Sequence, residues 1–206
     1  MEETSENREE TFNIPHAFRI EPDFRIYMLE LSARVDVARR KNETAGLNRL
    51  VKHAFGPETS LIYDEFGKPW PSCSTTAISV THSLERVAII VSDVFLPGID
   101  IEVERPELEK TIARVMHPSE LNFLEGHPDR QWVLQVIWGA KESVYKSYGK
   151  KKIVFREDIV VAPFGERPET ELKLILKKND QRWEYRLKAE YKDGFYLVYT
   201  TGCVMI

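Results

Sequence analysis

Gly98-Ile99-Asp100-Ile101-Glu102 and, further on, Trp138-Gly139-Ala140-Lys141-Glu142-Ser143-Val144-Tyr145-Lys146 decide how this chain reads. The first stretch is apolar and β-branched around two carboxylates at i and i+2. On a strand that spacing points both to one face. The second stretch reads as helix, where Glu142 and Lys146 stand at i and i+4 on a face shared with Trp138. Three carboxylates drawn from two elements, with a lysine one turn away, suit a hard divalent cation and a phosphate.

Outward from these stretches the pattern is strand, helices, strands, met twice. Arg25 to Leu31 reads as a strand, Ala33 to about Phe55 as a helix stopped by Gly56-Pro57, and Gly67-Lys68-Pro69 as a turn. Ala77 to His82 and Val87 to Ser92 are β-rich runs joined by the short connection Leu84-Glu85-Arg86, and Pro97-Gly98 opens the strand Ile99 to Val103. Helical segments follow near Glu107 to Val115, Ser119 to Leu124 and Arg130 to Tyr148, closed by Gly149-Lys150. Strands are expected at Ile153-Val154-Phe155, Leu172 to Leu176, Trp183 to Ala189 and Phe195 to Thr200, with a turn at Lys177-Lys178-Asn179-Asp180. The expectation is an α+β protein of two similar halves related by a pseudo-twofold: 12–97 and 98–206. Before them, residues 1–11 carry five glutamates and little to bury, as a disordered tail would.

Composition limits what the chain can do. At 206 residues with 42% hydrophobic and 30% charged residues it reads as a soluble globular protein. A net charge of −4 argues against general nucleic-acid binding. No apolar run approaches the roughly 18 residues of a membrane span. Cys73 and Cys203 match no metal or redox spacing; with no secretory leader evident they read as free thiols in a reducing cytoplasm.

Each motif also has a plain structural reading. Asp100 and Glu102 alone would pass for an exposed strand edge, and Lys141-Glu142 for a solvated helical face. The apolar flanks Val136, Ile137, Val144 and Tyr145 argue that this face is enclosed, where charges need a partner or a task. At Ser79-Val80-Thr81-His82-Ser83 a hydroxyl and an imidazole leave a strand into a polar turn, a place to hold phosphate oxygens. His16, His53, His117 and His127 read as structural residues.

Together these stretches resemble the 4'-phosphopantetheinyl transferase superfamily, in its larger surfactin-synthetase type. That signature runs Gly-(Ile/Val)-Asp-x-Glu, then Trp-(Ser/Ala)-x-Lys-Glu-(Ser/Ala)-x-x-Lys some forty residues on; here Glu142 follows Asp100 by 42 positions. Gly67-Lys68-Pro69 resembles its Gly-Lys-Pro turn, and Val80-Thr81-His82-Ser83 its Ile-Ser-His-Ser strand end. Thr81 stands for the usual serine, Ser79 for the usual asparagine, and Gly139 where serine is common.

The resemblance implies two similar halves with the active site between them. It implies a cytoplasmic, monomeric enzyme that moves the 4'-phosphopantetheine arm of coenzyme A to a serine of an apo acyl or peptidyl carrier protein, releasing adenosine 3',5'-bisphosphate. By position, Asp100, Glu102 and Glu142 are the ligands of Mg2+, or of Mn2+. Glu142 takes the serine proton, directly or through water, and Lys146 neutralises the phosphate under attack. Lys68, Thr81 and His82 contact coenzyme A phosphates and ribose; Arg39, Arg40 and Lys41 are the candidates at its adenine end, and Arg114 with Lys150-Lys151-Lys152 at the carrier. The competing readings are an inactive module of the same fold that binds coenzyme A or a carrier protein, and an unrelated metal-dependent phosphohydrolase.

Overall fold

Between Arg25 and Glu30 apolar side chains are buried on both faces, as in a strand inside a layered sheet. In the computed structural model, which describes residues 15–31, 39–150 and 152–206, that strand (β2) belongs to a four-stranded sheet. Its antiparallel order is β1 (His16–Ile20), β2, β6 (Arg86–Ser92), β5 (Ala77–Ser83). Helix α1 (Arg39–Phe55) covers one face, packing Leu50 and Val51 on Leu29, Ile78, Val87 and Ile89. A small ribbon of β3 (Leu61–Tyr63) and β4 (Pro69–Pro71) follows α1. Its turn is closed by Asp64, whose Oδ1 accepts from the N–H groups of Phe66 and Lys68.

The second sheet holds β7 (Ile99–Val103), β11 (Phe195–Met205), β10 (Gln181–Lys192), β9 (Glu169–Lys178) and β8 (Ile159–Val161), in that order. Before α4 (Arg130–Tyr148) the chain makes a 3-10 turn at Pro106–Thr111 and two short helices, α2 (Ile112–Val115) and α3 (Pro118–Gly126). Helix α4 lies across the second sheet, burying Trp132, Val133, Val136, Ile137 and Val144. In both sheets the first strand after the turn (β2, β7) sends the chain through a helix and then pairs antiparallel with the last strand (β6, β11). The free faces pack together: Phe24, Ile26, Met28, Ala88 and Ile90 meet Ile99, Ile101, Phe195, Leu197 and Tyr199. Each fully buried side chain of this kind contributes about 1.5–3 kcal/mol, so this contact firmly fixes how the sheets meet.

The meeting leaves two edge strands, β5 and β7, side by side without a backbone ladder. Ser79, Thr81 and Ser83 alternate along β5 and fill the gap. The Ile99 N–H donates to Ser79 Oγ (3.3 Å) and the Ile101 N–H to Thr81 Oγ1 (3.1 Å), while Ser83 Oγ donates to Glu102 Oε2 (3.3 Å). Buried amides of the β7 edge are thereby paired. That gives Ser79 and Thr81 a structural use independent of any ligand.

Three expectations need correction or limits. Ile153-Val154-Phe155 is not a strand: helix α5 (Phe155–Asp158) begins there and the strand is β8. The Asp158 carboxylate folds back onto the Val154 N–H (2.6 Å), so the first β-branched run caps a turn and the next one, Ile159-Val160-Val161, pairs. The segment from Glu107 to Val115 is a 3-10 turn plus one short helix rather than a single helix. The tail 1–11 and the helix start at Ala33 lie outside the described residues. Among the described residues, no helix is long and apolar enough to cross a membrane.

Candidate functional site

The β7–α4 crossing brings the two decisive stretches together, and two glycines permit it. A Cβ on Gly98 would stand 1.8 Å from the Ser143 carbonyl oxygen of α4. A Cβ on Gly139 would stand 2.7 Å from Val198 Cγ2 on β11 and 3.7 Å from Asp100 Oδ2. Glycine within a helix costs about 1 kcal/mol against alanine. At position 139 the cost is offset by letting α4 lie directly on the sheet beside Asp100.

On that crossing Lys146 does not turn to Glu142, four residues back. Its Nζ donates to Asp100 Oδ1 (2.7 Å), the Ile99 carbonyl (2.9 Å) and Thr81 Oγ1 (3.4 Å). Thr81 Oγ1 also stands 3.4 Å from Asp100 Oδ1. Glu102 accepts from Arg105 Nη1 (3.1 Å) as well as from Ser83. Glu142 is half-buried beside them. Burial raises its pKa above the ordinary glutamate value and the Asp100 carboxylate raises it further, with Lys146 opposing. Glu102 is raised for the same reasons, burial first and Asp100 second, with Arg105 opposing. Three carboxylates here face two cations, Lys146 and Arg105.

That imbalance and the all-oxygen donor set fit a hard divalent cation. As the side chains stand, no group of three Asp, Glu, His or Cys among the described residues is drawn together to hold one. Asp100 is occupied by Lys146 and Glu102 by Arg105 and Ser83.

The remaining sequence-derived residues fall in different places. Lys68 is buried, and its Nζ donates to the carbonyls of Lys146 (3.0 Å) and Ser147 (2.7 Å) in the last turn of α4. Burial pulls its pKa down to about 8, with Asp64 opposing. Lys68 and Lys146 also line a recess of about 230 Å3, together with Tyr63, Phe66, Tyr145 and Lys150. His82 is exposed, and its Nδ1 lies 3.4 Å from Glu43 on α1. Arg40 is exposed one turn earlier on that helix, and the Arg39 side chain lies outside the description. Arg114, Lys150 and Lys152 are exposed; Lys151 lies outside the described residues. His117 caps α3, His127 closes the turn before α4, and His53 packs edge-on against Tyr27. Cys73 and Cys203 are free.

Two pairings escaped the sequence reading. Lys141 is fully buried, as its apolar flanks argue, and its partner is Glu120 on α3, at 2.7 Å. Arg105 binds Glu102; its place three residues after that carboxylate was the available signal.

Comparison with known proteins shows which family the chain belongs to. Residues 97–200 match the family described as the 4'-phosphopantetheinyl transferase superfamily. The 4'-phosphopantetheinyl transferase AcpT of Escherichia coli O157:H7 is 32% identical over 118 residues, 54% of this chain and 59% of that protein. AcpT of E. coli K12 is 31% identical over the same shares, and AcpT of Salmonella typhi 31% over 48% of this chain and 55% of its own. The chain thus spans little more than half the length of these relatives.

Proposed function

Because the chain belongs to the 4'-phosphopantetheinyl transferase superfamily, we propose that it transfers the phosphopantetheine arm of coenzyme A to a serine of an apo acyl or peptidyl carrier protein. The observation that carries the reading is the carboxylate cluster at the β5–β7 seam with Lys146 inside it. The serine Oγ attacks the phosphorus bearing the pantetheine arm. The bond from that phosphorus to the leaving oxygen breaks, releasing adenosine 3',5'-bisphosphate. The serine proton passes to Glu142, directly or through water, a step worth roughly 10²–10⁴ in rate.

Asp100, Glu102 and Glu142 would hold a divalent cation, Mg2+ or Mn2+, which when bound neutralises charge at the diphosphate. Lys146 neutralises the phosphate under attack. Thr81, which bonds the Ile101 N–H and stands near Asp100, aligns the strand that carries the carboxylates. The recess beside Lys146 suits the nucleotide end of coenzyme A, with Tyr63, Phe66 and Tyr145 around a flat base and Lys150 near phosphate. Lys68, whose ammonium is taken by the end of α4, serves there by fixing the backbone of Lys146. His82 and Arg40 are assigned to the charged ribose end. Two sheets within one chain support the larger, surfactin-synthetase type.

The test is intact-mass spectrometry of an apo acyl carrier protein incubated with the chain, coenzyme A and Mg2+, with an EDTA control. The expected result is a gain of one phosphopantetheine that EDTA abolishes. No gain on acyl or peptidyl carriers, with coenzyme A still bound, would instead identify a binding module.

A further inference from the structure

Two cations serve the seam cluster, and they are held very differently. Lys146 projects from the buried helix α4 and has three oxygen partners fixed by the β7 backbone and Thr81. Arg105 sits in the connection after β7, with its side chain about one-third exposed. Besides Glu102 it has two other resting places. Its Nε donates to Glu107 Oε1 (3.3 Å), a side chain more than half exposed, and its guanidinium stands 5.9 Å from the Trp138 ring centroid. Leaving Glu102 would therefore still leave the guanidinium with partners and within reach of solvent.

We propose that Arg105 is a stand-in cation. It neutralises Glu102 while no divalent ion is present, and is displaced towards Glu107 and Trp138 when one binds. Arg105 thereby weakens the ion affinity of the site, because the incoming ion competes for the Glu102 oxygens and meets a positive charge close by. Once released, the guanidinium stands at the mouth of the cluster, able to meet an anionic oxygen of the diphosphate. This rests on the reading of Asp100, Glu102 and Glu142 as the ion-binding set. A residue that merely orients Glu102 would act in the opposite sense, since its loss would loosen the site. An ordinary exposed ion pair would have no effect on ion affinity.

The experiment is calorimetric titration of Mn2+ into the full chain stripped with EDTA, without substrate. Wild type, Arg105→Gln, Arg105→Lys and Arg130→Gln are compared. Arg130, which pairs with the exposed Glu109, controls for the loss of one positive charge elsewhere. Arg105→Gln is expected to bind Mn2+ roughly tenfold more tightly than wild type. Arg105→Lys should lie close to wild type, and Arg130→Gln should match it. Unchanged or weaker binding by folded Arg105→Gln overturns the stand-in role while leaving the ion site intact. Absence of Mn2+ binding in every variant overturns the ion-binding set itself, and this inference with it.

Discussion

Lys141 and Lys146 stand five residues apart on one helix and live in opposite electrostatic worlds. Lys141 is fully buried; its Nζ reaches Glu120 (2.7 Å) and the carbonyls of Val115, Phe155 and Ile159 (2.8, 3.0 and 2.9 Å). Glu120 in turn accepts from the N–H groups of His117 and Val161, both at 2.7 Å. One positive and one negative charge cancel, and the pair ties α2, α3, α5 and β8 around α4. At the seam, three carboxylates share two cations and both glutamates are pushed up in pKa. A saturated buried charge is architecture; an unsaturated cluster at the meeting of two sheets is a place for chemistry.

The sharpest way to break that contrast is Glu142→Gln. Turnover should fall by about 10²–10⁴-fold, while the melting temperature holds or rises because a neutral amide removes repulsion from Asp100. A melting temperature that falls in step with activity would make Glu142 architectural.

Lys141→Ala should act the other way. Removing one partner of a buried pair costs about 3–5 kcal/mol, read by urea unfolding. Converting both partners to apolar residues, Lys141→Met with Glu120→Leu, should recover only the share owed to the unpaired charge, because three carbonyls and the N–H groups of His117 and Val161 also lose their partners. A single-variant loss under about 1 kcal/mol, the worth of a surface pair, would remove the pair from the architecture.

Much of this was legible. Gly149 after the long helix marked the end of α4, and the i, i+2 carboxylates on β7 were read from alternation alone. What stayed hidden was non-local. Spacing offered Lys146 the neighbour Glu142, yet it binds Asp100, 46 positions away on another element. The flanks of Lys141 argue for enclosure, but its partner Glu120 lies on a separate helix, and nothing in the local pattern announces a lysine enclosed by three carbonyls. Gly139 made no sense as a helix residue until Val198 was found against it. The ribbon β3–β4 was too short to show a period.

Gly139→Ala tests that close approach. Better helix propensity argues for a gain of about 1 kcal/mol. Overpacking against Val198 should instead give a net loss, within the ~1–3 kcal/mol typical of such insertions. Val198→Ala in the same chain should relieve it. A net gain from Gly139→Ala alone would mean α4 is free to lift off the sheet.

Lys68 lies between the two extremes, since it is buried against carbonyls rather than a carboxylate. The folded state releases its proton near pH 8, whereas the unfolded chain keeps it to the ordinary lysine value of 10.5. Between those pH values the unfolded state binds more protons, so stability rises with pH by at most ~1.4 kcal/mol per unit. Lys68→Met should lose that rise in urea unfolding measured across the same window. An unchanged pH profile would show the ammonium stays charged at the end of α4.

The most direct test compares transfer to an apo carrier protein, followed by intact mass, for wild type, Glu142→Gln and the double Lys141→Met, Glu120→Leu chain. All three are assayed at a temperature where each is folded. The account predicts transfer close to wild type by the apolar double variant and transfer slowed about 10²–10⁴-fold by Glu142→Gln. The reverse pattern, with Glu142→Gln active and the folded double variant dead, would contradict the assignment of chemistry to the seam.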